Sequence, residues 1–366
     1  MRGLAALVAA GLAMNHAVWR KTAARSCAAL TIAAVVCLFG GAFVAAPAVA
    51  LASSPWVAFQ TSLRNGQFGD DGVFLVRPDG TDQHEVATAI PGEHIHPDWS
   101  SDGHSLVFAG LAGDRHQIIR FDPLSDPTGA HAQQLTACAG SCADDMDPAL
   151  SPTDAKIAYV EVGGPLVPFG DFEVPATQDL RIATIAPGGL THMRTLLQTR
   201  TTTMELNAPR WSPDGSHLVF WAERHVDDTG QPVDQTAVFT IRADGTQLVQ
   251  VTPWSMLAGD CDWSPDGTRL VFATHPLQVF NFDPVVSNLF TVRPDGTGLR
   301  QLTHSTTSND RATQAHFTPD GHIIYTRVAT GGRTLWLTNA DGSNGSPIPA
   351  SGERIRTHGD WQPTTS

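Results

Sequence analysis

The sequence predicts an all-β protein, a six-bladed β-propeller closed by pairing of its N- and C-terminal strands. Three observations carry this. One phrase recurs six times along the chain, at a spacing that suits a blade better than a helical solenoid. Each copy joins β-branched and aromatic runs through Pro-Asp-Gly turns, with no long segment of helical period. The first and last fragments are complementary halves of one unit.

The recurrent phrase is clearest at Pro97-Asp98-Trp99-Ser100-Ser101-Asp102-Gly103 followed by Leu106-Val107-Phe108. It returns at Pro209–Gly215 with Leu218-Val219-Phe220, and at Cys261–Gly267 with Leu270-Val271-Phe272. Weaker copies are Pro148–Asp154 and Ala315–Gly321, and Gly359–Pro363 is a last fragment. Aligning Trp99, Leu150, Trp211, Trp263, Phe317 and Trp361 gives spacings of 51, 61, 52, 54 and 44 residues. The large apolar residue is expected to begin an inner strand and to pack into the wedge between blades. Ser-Pro-Asp-Gly then makes a hairpin turn: Pro fixes φ, Asp tolerates the next position, and Gly accepts φ > 0. Leu-Val-Phe is the return strand.

A second phrase supplies the outer half of each unit. It reads Val73–Thr81, Val238–Thr246, Leu289–Thr297 and Leu335–Ser343, a third strand and an Asp-Gly turn into a fourth. Four antiparallel strands make one blade. Trp56–Gln60 reads as a second strand lacking its first, and Asp360–Pro363 as a first strand lacking its second; joining them completes a blade and removes two sheet edges. The blades fall near 55–88 with 357–363, 94–137, 145–200, 206–252, 258–303 and 312–350. The third departs most from the pattern, with 165–175 as an insertion.

Composition narrows the function. The chain has 366 residues, 42% of them hydrophobic, with 33 Gly and 25 Pro, so it is folded and turn-rich rather than disordered. Residues 1–52 contain no Asp or Glu, carry Arg2, Arg20, Lys21 and Arg25, and end in small residues around Ala48, Ala50 and Ala52. This is the pattern of a secretory signal peptide. An uncleaved anchor is the alternative, since the 20 uncharged residues from Cys27 to Ala46 are long enough to span a bilayer. Residues 53–366 form the propeller. They hold 19 basic and 36 acidic residues, a net of −17, which excludes nucleic acid and anionic lipid surfaces as partners. Contact with a membrane is expected only through an uncleaved N-terminus. In an oxidising compartment Cys138 and Cys142 are candidates for a disulfide, and Cys261 is left unpaired and buried.

The phrase x-x-W-S-P-D-G-x-x-L-V-F, followed by L-F-x-V-R-P-D-G-T and x-Q-L-T, resembles the TolB-type repeat, also called the WD40-like or PD40 propeller repeat. The resemblance covers essentially all of 55–363 and implies a six-bladed propeller of an exported bacterial protein. It is confined to the propeller: nothing in this chain corresponds to the N-terminal α/β domain that TolB carries. The same repeat occurs in propellers that gate prolyl-oligopeptidase-like peptidases. No Gly-x-Ser-x-Gly elbow is present in this sequence, however, and the chain stops at Ser366 with no room for a hydrolase domain.

The recurrent Asp-Gly acids, Asp79, Asp102, Asp214, Asp244, Asp266, Asp295, Asp320 and Asp341, are expected to be turn residues. The candidate ligand-binding residues lie before each aligned position, where six segments converge on the channel: His96, Asp98, Asp147, Asp260, Asp262, His316, His358 and Asp360. Such groups can satisfy backbone donors in a hydrated channel, or hold a divalent metal. No other cofactor is expected. Glu93-His94-Ile95-His96 is a weaker metal motif. The function read from this pattern is an exported, non-catalytic propeller that binds a protein, peptide or envelope glycan through the loops of its channel mouth. The alternative is a metal-assisted hydrolase or lyase, using His96, Asp260 and His358.

Overall fold

In a computed structural model of the protein, the structure describes residues 54–61, 71–169, 172–274, 286–307, 310–330, 332–349 and 356–363. Residues 1–52, where a signal peptide is expected, lie outside them. Among the described residues, six four-stranded antiparallel sheets stand side by side as the blades of a propeller. No helix among them is long and apolar enough to cross a membrane.

Blade 1 is closed from both ends of the chain. Its inner strand, Arg356–Trp361, pairs with Val57–Thr61, which continues to Gly72–Val76 and His84–Glu85. Val57 lies opposite Trp361, the Gln362 N–H donates to the Trp56 carbonyl at 2.8 Å, and the Trp56 N–H donates to Gln362 Oε1 at 2.9 Å. The remaining inner strands are His94–Trp99, Cys142–Leu150, Met204–Trp211, Ala258–Trp263 and Asp310–Phe317. One sequence expectation is corrected here: the large apolar residue ends the inner strand rather than beginning it. Its packing is as expected. Trp99 joins Ala58, Val73 and Leu75 of blade 1, Trp211 joins Val160 and Leu180 of blade 3, and Trp263 joins Val219 and Val238 of blade 4.

Each interface between blades has its own apolar cluster. The second strands supply its bulk, because the Phe of Leu-Val-Phe and its equivalents, Phe59, Phe108, Phe220 and Phe272, are all at most 1% exposed. Three of them stack on the directly opposed aromatic of the third strand: Phe59 on Phe74, Phe220 on Phe239, Phe272 on Phe290. Such cross-strand pairs fix register as well as bury area.

The recurrent Asp-Gly acids are turn residues. In each, a carboxylate oxygen accepts a Ser or Thr hydroxyl of its own turn, as Asp214 does from Ser212 and Ser216 and Asp295 from Thr297. Hydrogen bonds that favour the anion hold all eight below the usual range, Asp214 down to about 2. Blade 3 departs twice. Asp154 takes the glycine position with φ 56°, and its carboxylate accepts from the Ser101 N–H and hydroxyl of blade 2. The 165–175 insertion is an extension of the second and third strands, Lys156–Phe169 and Phe172–Ala186, whose pairing runs out to Phe169 opposite Phe172. Cys138 and Cys142 are bonded just before this blade's inner strand, and Cys261 is buried and unpaired.

If the terminal strand closes blade 1 as tightly as blade 4 is packed, Phe59→Ala and Phe220→Ala should cost the same, roughly 3–5 kcal/mol each in urea unfolding. A cost below about 1 kcal/mol for Phe59→Ala alone would show a loose closure.

Candidate functional site

Every described inner strand from blade 2 to blade 6 carries a bulge at one place. The ladder slips between Ile95 and Asp98, Met146 and Ala149, Asn207 and Arg210, Gly259 and Asp262, and Thr313 and His316. The residue at each slip is left-handed although none is glycine: His96 φ 54°, Asp147 52°, Ala208 46°, Asp260 49° and Gln314 53°. A non-glycine residue is disfavoured in this conformation by about 1–2 kcal/mol, so five repeats of it mark a position the fold requires. A slip of this kind leaves a backbone N–H without its ladder partner.

The neighbouring blade supplies the missing acceptors, in two tiers. In the upper tier the His96 N–H donates to Gln60 Oε1 at 2.8 Å, the Ala208 N–H to Asp147 Oδ2 at 2.9 Å, and the Gln314 N–H to Asp260 Oδ2 at 3.2 Å. The His96 imidazole also pairs with the Asp147 carboxylate. In the lower tier the Trp99 N–H donates to Asp360 Oδ2 at 2.6 Å, Leu150 to Asp98 Oδ2 at 2.8 Å, and Phe317 to Asp262 Oδ2 at 2.9 Å.

The lower tier sets three carboxylates around one guanidinium. Arg210 Nη1 lies 3.9 Å from Asp98 Oδ1. Burial opposes the charge of Arg210, but Asp98, Asp262, Asp360 and Asp147 outweigh it and raise its pKa. Burial raises Asp98 against the pull of Arg210, raises Asp262 to about 6, and, with the repulsion of Asp98, raises Asp360 to about 8. One proton is therefore retained in this group near neutral pH, because a single guanidinium cannot balance three buried anions. Asp147 behaves oppositely: burial would raise it, yet His96, the Ala208 N–H and Arg210 hold it down at about 2. Burial, then Arg210 and His96, push His316 well below the usual imidazole range.

Of the residues singled out from the sequence, His96, Asp147, Asp260 and His316 line one cavity of about 70 Å³, together with Asn207, Arg210, Trp221 and Cys261. Asp98, Asp262 and Asp360 converge on Arg210, and the side chain of His358 lies outside the described residues. His94 does not join His96: it is fully buried against the Phe108 ring, 4.9 Å away. Among the described residues, the mouth does not gather three ligand atoms within metal-binding distance of one another. Arg210 stands in the aligned column, so its place was legible, but its role as counter-ion was not. Gln60, Asn207 and Trp221 carried no signal beyond lying in strands.

No protein-family model and no curated protein sequence matches the chain. Among solved structures it is similar to TolB from Acinetobacter baumannii, at 14% identity and TM-score 0.59, over 84% of this chain and 66% of that one. It thus spans just under two thirds of that relative's length. It is also similar to a putative TolB from Agrobacterium tumefaciens, at 16% identity and TM-score 0.52, over 81% of this chain and 90% of that one. A puromycin-hydrolyzing peptidase from Mycobacterium tuberculosis is matched at 14% identity and TM-score 0.52, over 78% of this chain and 41% of that one. These likenesses show the fold, a six-bladed β-propeller with TolB proteins among its structural neighbours. A peptidase sharing it shows that the fold does not choose the activity.

The lower tier predicts a pH dependence of stability. Asp360 loses its proton near pH 8 in the folded protein and near pH 3.9 in an unfolded chain. Between those values the folded protein holds the extra proton, so its stability falls as pH rises, by up to about 1.4 kcal/mol per pH unit. Asp360→Asn should gain stability relative to the parent from pH 5 to pH 8 in urea unfolding. Parallel profiles would contradict this.

Proposed function

We propose that this chain is an exported, non-catalytic propeller that binds an envelope partner, a polypeptide, across the rim of its channel mouth. The observation that carries this reading is the state of the mouth. Asp147 and Asp260 are engaged with backbone donors of the next blade and Asp147 also with His96, and the cavity they leave is about 70 Å³. That volume suits a few waters, whereas small-molecule sites run to roughly 300–1,000 Å³. Recognition then falls to the surrounding loops, which a rigid ring presents together.

The rim has features that suit a polypeptide. The extended hairpin of blade 3 carries Pro165, Leu166, Val167 and Pro168, with Leu166 61% exposed. Its Phe169 ring lies 5.1 Å from the His225 ring of blade 4, which braces the arm against its neighbour. Beside it the turn between the second and third strands of blade 2 exposes Asp114. Export is supported by the N-terminal signal pattern, by the cysteine pair, and by the TolB likeness of the fold.

The test is a rim variant that spares the channel, Leu166→Asp with Asp114→Arg. The parent, immobilised, should retain a protease-sensitive component of envelope extract that the variant retains at least about tenfold less, with unchanged thermal unfolding. Equal retention by both would move the site off this rim. Retention abolished by glycan hydrolases instead of proteases would replace the polypeptide with a glycan.

A further inference from the structure

Blade 4 carries a second cluster of titratable groups, drawn from its first three strands. Glu205 ends up directly opposite Glu223 in the ladder between Met204–Trp211 and His217–Val226. Like charges directly opposed are destabilising in a sheet. A bulge between Arg224 and Val226 brings His225 level with Asp234 of the third strand, Pro232–Arg242. One donor atom each from Glu223, His225 and Asp234 lies within 4.8 Å of the other two.

The histidine is held on both sides. Its Nε2 lies 3.4 Å from Glu205 Oε1, and its Nδ1 lies 3.8 Å from Glu223 Oε1 and 3.9 Å from Asp234 Oδ1. Phe169 covers one face of the ring. The imidazole is 12% exposed and Glu223 14%, while Asp234 stands 71% exposed at the open side. The nearest guanidinium is committed elsewhere: Arg224 lies over the Trp254 ring at 4.5 Å, donates to Gln235, and faces Asp228 at 3.4 Å.

We propose that Glu223, His225 and Asp234 form a binding site for a divalent transition-metal ion of the zinc class, with Glu205 as the residue that positions the imidazole. A carboxylate on Nε2–H fixes the tautomer that turns the Nδ1 lone pair toward the other two donors, an arrangement typical of metal-ligating histidines. One imidazole with two carboxylates suits zinc or manganese, whereas calcium prefers an all-oxygen shell. For a tetrahedral ion with bonds of about 2.0 Å, donors stand about 3.3 Å apart. The two separations from Nδ1, 3.8 and 3.9 Å, therefore close by about half an ångström through movement of both the Glu223 and the Asp234 side chains. The fourth position faces solvent and takes water or a donor from a bound partner. The ion ties the second and third strands of blade 4 together and neutralises the Glu205–Glu223 pair. This site does not rest on the reading above, although Phe169 of the blade 3 arm packs on its histidine.

The experiment is calorimetric titration of the chelator-treated protein with zinc chloride at pH 7.5, beside far-UV circular dichroism of each variant to confirm folding. One saturable equivalent is expected. His225→Gln should weaken binding at least about 100-fold and Glu205→Gln about 10–100-fold, while Asp295→Asn in an exposed turn of blade 5 leaves it unchanged. Calcium at the same concentration should not displace zinc. Absence of saturable binding, binding undiminished in His225→Gln, or equal competition by calcium would each overturn the proposal; the first would leave a protonated His225 as the counter-ion of the three carboxylates.

Discussion

The structure depends on one constraint, the backbone N–H groups left over at and just after the bulge of the inner strands. These strands line the axis, where unpaired donors cost roughly 1–3 kcal/mol apiece. The ladder cannot serve them, because the bulge has moved its partner out of reach. The acceptor comes from the next blade: Asp360 reaches Trp99, Asp98 reaches Leu150, Asp147 reaches Ala208, Asp260 reaches Gln314, and Asp262 reaches Phe317. The ring is thereby stitched by directional bonds at its centre while apolar clusters fill its wedges. The acidic column is also a means by which neighbouring blades hold each other.

The stitching varies where the sequence varies. Blade 3 has Ala149 where blade 2 has the Asp98 carboxylate, and there the Trp211 indole N–H donates to the Ala149 carbonyl. Blade 4 has Arg210, which offers donors rather than acceptors, so the Trp263 N–H turns to Asp262 of its own strand. These exceptions place a guanidinium where the carboxylates of blades 1, 2 and 5 can share it. An irregular repeat thus produces a charge-balanced centre that six identical blades could not.

Much of this was legible in the sequence, for physical reasons. Turn chemistry is local, so Ser-Pro-Asp-Gly and Pro-Asp-Gly-Thr marked the strand ends, and their acids proved to be the turn acids. The ends of the chain fitted each other because each half-blade keeps its own signature, Trp56–Gln60 and Asp360–Pro363. The inner strands were misplaced for an equally physical reason. Pro97, Pro148 and Pro209 follow the left-handed residue, and proline beside polar residues reads as loop, yet a bulge is one of the few strand positions that tolerate it. Repetition could align Arg210 with its column but could not say that three carboxylates would face it. Nor could it join Glu205, Glu223 and Asp234 to His225, which meet only when three strands are laid in register.

The choice of aspartate over asparagine in the lower tier follows from donor counting. A carboxylate accepts the neighbouring N–H and adds no donor, whereas each asparagine would add two N–H groups in need of acceptors on a crowded axis. Three amides would also strand Arg210, whose five donors require anions or carbonyls around them. Three carboxylates with one guanidinium and one retained proton satisfy the donors with the least uncompensated charge. In a centre balanced in this way Asp98, Asp262 and Asp360 each already hold a backbone N–H of the next blade, so a ligand that took those carboxylates would break a bond between blades. Any binding at these three acids and closure of the ring therefore compete for the same atoms.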